Sequence, residues 1–312
     1  MRIAVVGRPD DVIVKHLMSV LVDRAVDARV FSLSDMFHGT PLAFDGEAWL
    51  CDGECLNDYD AFFVRQVPAT VPLLGTPDST ATAQVWWTRA KQAQERAQMA
   101  TSCLLDLEAR GKRVVNSPRC DPYDVKPFQL AELARAGIPI PKTLITNFPE
   151  AVRLFEADVG EVVCKPVGGG AEAQLLGDDA KARLEHISHT PVIFQQRIVG
   201  PDIRVTLVDG RVVSSVEIPS STLDYRSQTS YSAGQQVYLS HPLPSDVADM
   251  CKRIAAMFHH TLAGIDLKKT RDGYVVIESN SMPVYLDIEL KTQAPITNAI
   301  VETLLSARTA LR

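Results

Sequence analysis

The 312-residue chain has no run of 18 apolar residues, and it opens on MRIAVVG without the basic stretch, apolar core and cleavage site of a secretory signal. A membrane span and export are therefore not expected, and the protein reads as soluble and cytoplasmic. It also lacks excess positive charge. At a net charge of −6 there is no overall electrostatic reason to expect a nucleic-acid partner. The six cysteines, Cys51, Cys55, Cys103, Cys120, Cys164 and Cys251, show no CxxC spacing and read as reduced packing residues. No metal-ligand spacing joins the seven histidines, and the adjacent His259 and His260 read as a helix surface. The turn after the first apolar run lacks GxGxxG, and GxxxxGK[ST] is absent, so neither a dinucleotide fingerprint nor a P-loop is supported. No internal repeat or low-complexity tract stands out.

What is present is enough apolar chain for a large core, 46% of residues against 22% charged, in a length beyond one typical domain. Arg2 to Val6, Val12 to Val26 and Ala28 to Leu33 read as a strand–helix–strand opening. Asp58 to Val67 is a further strand, Pro68 to Thr82 a loop, Gln84 to Arg110 a long helix carrying Trp86 and Trp87, and Arg113 to Val115 a strand. A helix from Asp124, with Pro127 in its first turn, stops at Gly137. Beyond Pro139 and Pro141 come a helix at Pro149 to Ala157, a strand at Glu161 to Pro166, a glycine loop at 168–170 and a strand around Ala173 to Leu176. Val192 to Gln196 leads to Asp202 to Val208 and Arg211 to Ile218, joined by Asp209-Gly210, a two-residue hairpin signal. Helices at Ser245 to Leu262 and Pro295 to Ser306 flank a last hairpin. These elements suggest lobes at 1–116, 117–195 and 196–312.

That last hairpin, AGIDLKKTRDGYVVIESN at 263–280, carries the most chemistry. A three-residue loop Arg271-Asp272-Gly273 would set Asp266 opposite Glu278 and on one face with Asn280, an oxygen-rich set suited to Mg²⁺. A two-residue Asp272-Gly273 turn would send Asp266 to the other face. The same residues also fit a solvated acidic hairpin. Lys268 would share the face of Asp266, as a phosphate contact or as its ion-pair partner. Lys165 ends the strand EVVCKP just before three glycines, a combination that suits polyphosphate, although a strand-end lysine before a glycine loop is more often an ordinary surface feature. Arg65, ending a strand of the first lobe, reads as a substrate-carboxylate contact or a structural ion pair.

Taken in order, NSP at 116–118, Lys126 in DVKPFQLAELARAGIPIPKTLIT, Lys165 in VVCKP, QQRIVGPDIRV at 195–205, LDYRS at 223–227, AGID at 263–266 and IESNSMP at 277–283 resemble the ATP-grasp superfamily, specifically its RimK-like carboxylate–amine ligases. The resemblance implies an ATP-grasp fold of mixed α/β and α+β type, with a Rossmann-like N-terminal lobe and two α+β lobes clasping ATP. It implies that Lys126 and Lys165 lie over the ATP phosphates, that the chain at Gln196 and Arg197 meets adenine, and that Asp202 meets the ribose. Arg226 and Ser227 would sit at the phosphate end, Arg204 and Arg226 would be the catalytic cations, and Gly168, Gly169 and Gly170 would form a lid. Asp266, Glu278 and Asn280 would hold one or two Mg²⁺, with Mn²⁺ able to substitute. Three features depart from the family: Gln196 stands where an acidic residue is common, the glycine loop is short and is followed by Ala171-Glu172, and the spacing from Gln196 to Asp202 is short.

The implied reaction activates a carboxylate as an acyl phosphate, which an amine then attacks, releasing ADP and phosphate. The partners implied are small-molecule or peptide carboxylates and amines, with no nucleic acid or membrane; a homo-oligomer is compatible with all of this. Two rival readings are a ligase resembling the graspetide synthetases, which crosslink side chains of a precursor peptide as esters or amides, and a non-catalytic nucleotide-binding protein. The stretch YLDIELKTQAPITNAIVETLL has some likeness to the first.

Overall fold

In a computed structural model, residues 1–33, 41–65, 83–168, 172–220, 223 and 234–306 are described. By its contacts the chain divides into two units, Met1–Arg119 together with the segment from Thr297 onward, and Cys120–Ile296.

In the first unit, β1 (Arg2–Val6), β2 (Asp27–Phe31), β6 (Ala61–Val64) and β7 (Arg113–Val115) form a parallel sheet in the order β2-β1-β6-β7. Its two central strands, β1 and β6, are buried on both faces, which is why they are short apolar runs. Helix α1 (Val12–Asp23) links β1 to β2 and begins where the Asp11 carboxylate accepts from the backbone N–H groups of Ile13 and Val14. It ends three residues before the predicted Val26, with Ala25 at φ +53°. The long helix α2 (Ala83–Ala109) buries Ala93, Ala97, Ala100, Leu104 and Leu107, a helical stripe. Trp87 lies outside that stripe, 67% exposed, with Lys91 over its ring. A small antiparallel sheet of β3 (Leu42–Phe44), β4 (Trp49–Cys51) and β5 (Glu54–Cys55) was not legible in the sequence, because strands of two or three residues have too few side chains to show a period. Arg65 pairs with the capping Asp11 at 3.3 Å, so the structural alternative for this arginine is the one seen. The loop read at Pro68 to Thr82 lies outside the described residues.

The second unit holds two antiparallel sheets. One has the order β10-β9-β11-β8, from β8 (Thr143–Thr146), β9 (Val162–Pro166), β10 (Gln174–Leu175) and β11 (Val192–Gln196). The other has the order β14-β13-β12-β15-β16, from β12 (Asp202–Val208), β13 (Arg211–Ile218), β14 (Leu239–Ser240), β15 (Leu262–Thr270) and β16 (Gly273–Asn280). Helices α3 (Asp121–Asp124), α4 (Lys126–Arg135), α5 (Pro149–Val159) and α6 (Asp178–Ala182) precede the second sheet, and the helix Ser245–Met257 packs Val247, Cys251, Ile254 and Ala255 beneath it. That helix stops five residues short of the predicted Leu262. His259 takes φ +56° just past its end, and His260 is buried rather than surface-exposed. The six cysteines stand as free thiols. Among the described residues no helix is long and apolar enough to cross a membrane.

Asp209 and Gly210, at φ +50° and +71°, form the two-residue turn expected between β12 and β13. The final hairpin departs from its expected loop. Its turn is Arg271-Asp272, with Thr270 paired to Gly273, and the pairing then shifts by one at a bulge so that Leu267 faces Val276 while Asp266 faces Glu278. Ile277 is the extra residue. The turn is shorter than read from the sequence, and the bulge restores the register.

Gly200 lets the chain enter β12 across the backbone of β15. Its φ is +154°, and a Cβ there would stand 1.9 Å from the Lys269 carbonyl oxygen. Gly200→Ala should cost about 3 kcal/mol or more in urea unfolding, from overpacking and backbone strain together; a loss below about 0.5 kcal/mol would mean that this crossing is not rigid.

Candidate functional site

Three neighbouring strands place three charged residues in one transverse row. Arg204 on β12 lies opposite Asp266 on β15, which lies opposite Glu278 on β16. Like charges directly across a sheet repel, so two adjacent carboxylates need compensation. Both have it. The Arg204 guanidinium grips Asp266 through two bonds, Nε to Oδ1 at 2.6 Å and Nη2 to Oδ2 at 3.0 Å. At the other end Lys126, in the first turn of α4, donates from Nζ to Glu278 Oε2 at 3.1 Å. Gly264 makes room for this row, since a Cβ there would stand 2.7 Å from Arg204 Nη1 and 2.5 Å from the Pro283 ring.

The row borders a cleft open to solvent. Lys126, Lys165, Gln196, Arg197, Asp202, Asp266 and Glu278 line it. Arg204 and Asn280 stand one contact behind, the first holding Asp266 and the second donating from its side-chain amide to Glu278 Oε1 at 3.1 Å. Lys268 also lines the cleft, paired with Asp202 at 2.8 Å rather than with Asp266, because Asp202 is its cross-strand neighbour and Asp266 is taken by Arg204. The backbone N–H of Gln196 donates to the Lys142 carbonyl and that of Arg197 to the Glu161 carbonyl, so neither amide is available to a nucleobase. Gly168 lies in the exposed turn after β9. Gly169, Gly170, Arg226 and Ser227 lie outside the described residues.

Burial alone would raise the Glu278 carboxyl, but the Lys126 charge, the Asn280 hydrogen bond and the Lys165 charge together hold it down at about 2. It is therefore an anion at neutral pH. Among the described residues no group of three or more His, Cys, Asp or Glu side chains could hold a metal. An ion here would instead meet two facing carboxylates, an amide oxygen and oxygens from outside the protein. That hard-oxygen set, short of a full protein cage, fits Mg²⁺.

Sequence reasoning missed the back of the site. Residues of β16 alternate, so Glu278 and Asn280 share one face while Ser279 and Ser281 point the other way. Ser279 Oγ meets His260 Nδ1 at 3.0 Å, and Ser281 bonds Asp124 through both its hydroxyl and its backbone N–H. Burial, with His259 nearby, lowers the His260 imidazole to about 4, so the ring is neutral. Gln129 brackets Ser279: its Oε1 accepts from Ser279 N–H at 2.9 Å and its Nε2 donates to Ser279 C=O at 2.7 Å. The available signal was that Asp124, Lys126 and Gln129 fall within six residues, one helical turn from the cluster they serve.

A model of the RimK-like ATP-grasp domain matches residues 125–304, more than half of the chain and all of this cleft. The chain belongs to the RimK-like ATP-grasp family. Among curated relatives it is 30% identical over 218 residues to beta-citrylglutamate synthase B of Danio rerio, covering 65% of this chain and 53% of that one. It is 29% identical to N-acetylaspartylglutamate synthase A of Homo sapiens, with 65% and 55% covered. The chain thus spans about half the length of these relatives. Among solved structures, the ATP-grasp ligase PsnB complexed with a phosphomimetic variant of its minimal precursor, Mg and ADP matches with a TM-score of 0.87 and 30% identity over 98% of both chains. The macrocyclase MdnC of Microcystis aeruginosa MRC, bound to its precursor peptide MdnA, shares the ATP-grasp fold at a TM-score of 0.80 and 20% identity, with 98% of this chain and 100% of that one covered.

The depressed Glu278 carboxyl predicts a pH signature. A folded value of about 2 against an ordinary 4.5 stabilises the fold by roughly 3 kcal/mol; that contribution is complete above pH 4.5 and is lost as pH falls through 2. Lys126→Met removes the first of its compensating cations, so the variant should be less stable by about 2 kcal/mol at pH 6, with the difference shrinking steadily below pH 4.5. A difference independent of pH in parallel urea titrations would break the link between Lys126 and Glu278.

Proposed function

We propose that this RimK-like ATP-grasp protein is an ATP- and Mg²⁺-dependent ligase that joins a carboxylate to an amine through an acyl phosphate. The observation that carries the reading is the charge row at the cleft, two facing carboxylates between Arg204 and Lys126, with Lys165 across from them. Asp266, Glu278 and the Asn280 side-chain oxygen would hold Mg²⁺, which supplies positive charge to the β and γ phosphates. Lys126 and Lys165 bind and orient the same phosphates, because transfer of a phosphoryl group depends on position and neutralised charge more than on covalent help. The substrate carboxylate oxygen attacks the γ-phosphorus as its bond to the β-phosphate oxygen breaks, giving ADP and the acyl phosphate. The amine nitrogen then attacks the acyl carbon, phosphate leaves with the bonding pair, and the nitrogen loses a proton. Arg204, once it lets go of one Asp266 oxygen, offers a guanidinium to the charge that develops in either step. Mn²⁺ replaces Mg²⁺ in this scheme as another oxygen-seeking divalent ion. The reaction belongs in the cytoplasm, where ATP is at hand and the free cysteines stay reduced.

A second reading concerns the substrate. Similarity to PsnB runs over 98% of both chains, whereas beta-citrylglutamate synthase B is matched over 53% of its length. That favours a peptide as the carboxylate donor, with the nucleophile, a hydroxyl or an amine, on the same peptide.

Two outcomes test the proposal. With its substrate the protein should release ADP and orthophosphate, and hydroxylamine should trap the activated carboxylate as a hydroxamate; AMP and pyrophosphate would overturn the mechanism. Glu278→Gln should lower turnover by about 10²-fold or more in a protein that still melts cooperatively. Wild-type turnover in that variant would remove Glu278 from the site. Stimulation of ADP release by precursor peptides and not by free amino acids would select the peptide reading.

A further inference from the structure

Among the described residues β16 is the outer strand of its sheet, so every second residue turns its backbone N–H and C=O away from β15 with no described strand beyond to receive them. At Ser279 a side chain takes that place. Gln129, 2% exposed, accepts from Ser279 N–H and donates to Ser279 C=O, the two bonds that a further strand would supply, and its amide is fixed from behind by a 2.6 Å bond to the Tyr123 carbonyl. Lys126 and Gln129 are three residues apart on α4, hence on one helix face, and they reach Glu278 and Ser279, which are adjacent on β16. His260 and Asp124 hold the Ser279 and Ser281 side chains on the face away from the cleft. The strand end is thereby fixed along its edge and at its back, just after the bulge at Ile277, where the ladder alone holds it least.

We propose that Gln129 is a positioning residue for the divalent metal: by bracketing the Ser279 backbone it fixes the rotation of β16 that turns Glu278 and Asn280 into the cleft. The inference rests on the proposed reading of Asp266, Glu278 and Asn280 as metal ligands and adds a residue that touches neither metal nor nucleotide. Removing it should damage metal binding selectively, since Lys126 and Lys165 reach the phosphates from α4 and β9 and do not depend on β16 for their placement. A purely structural role would lower stability and leave both affinities alike.

The test uses the full chain with ADP and Mn²⁺, free Mn²⁺ being read by electron paramagnetic resonance and metal-free ADP affinity by calorimetry. Gln129→Met keeps the volume and removes the bracket. Mn²⁺ affinity in the ADP complex should fall about 10- to 100-fold, with metal-free ADP affinity within about twofold of wild type. Unchanged Mn²⁺ affinity in a folded variant, or equal loss of Mn²⁺ and ADP affinity, overturns the proposal. Should Gln129→Met not fold, Gln129→Asn decides: it keeps the amide but is one methylene too short to bracket both Ser279 backbone groups, and Mn²⁺ affinity should fall about threefold or more, no change overturning the idea. The wild-type arm separates the two levels of inference, because a wild-type protein that binds no Mn²⁺ with ADP would sink the metal reading itself.

Discussion

Two carboxylates facing each other across β15 and β16 are the constraint around which the second unit is organised. Left alone they would repel in a partly buried place, and one would take up a proton. Arg204 on one flank and Lys126 on the other prevent this, and the low value of the Glu278 carboxyl records the result. The arrangement of cation, two anions and cation turns carboxylate oxygens toward a cleft that Lys165 also lines. On the proposed reading a metal would meet these carboxylates and the phosphates of a nucleotide would meet the lysines.

The row depends on parts that do not touch the cleft. Gly264 leaves space for the guanidinium, and Gly200 lets the chain cross β15 closely enough for β12 to pair in register. Behind β16, the serines on its buried face are tied to Asp124 and His260, while Gln129 closes its edge. Charge on one face of the strand end is thus matched by hydrogen bonding on the other, where an unpaired polar group would be costly.

Much of this was legible in the sequence because period and turn chemistry act locally. Asp209-Gly210 specified its turn, Pro127 and Gly137 bounded a helix start and stop, and the spacing of Asp266, Glu278 and Asn280 gave their shared face. The register was right although the loop was wrong: an extra residue at Ile277 compensates for a turn one residue shorter, and a bulge has no signature in a single sequence. Partners set by tertiary contact were equally hidden. Nothing in the spacing of Lys268 favours Asp202 over Asp266, and Gln129 reads as one more helix residue until β16 is laid beside it. His259 and His260 look helical because the apolar pattern continues past Met257, where a left-handed residue ends the helix and turns His260 inward. The short sheet from Leu42 to Cys55 left no periodic trace.

The most direct test of the central claim is a crystal structure of the protein with Mg²⁺ and a non-hydrolysable ATP analogue. The account predicts a metal bound by both Asp266 and Glu278 at about 2.0–2.1 Å, the terminal phosphates between Lys126 and Lys165, and Arg204 released from at least one Asp266 oxygen. A nucleotide bound elsewhere, or a metal held without either carboxylate of the row, would contradict it.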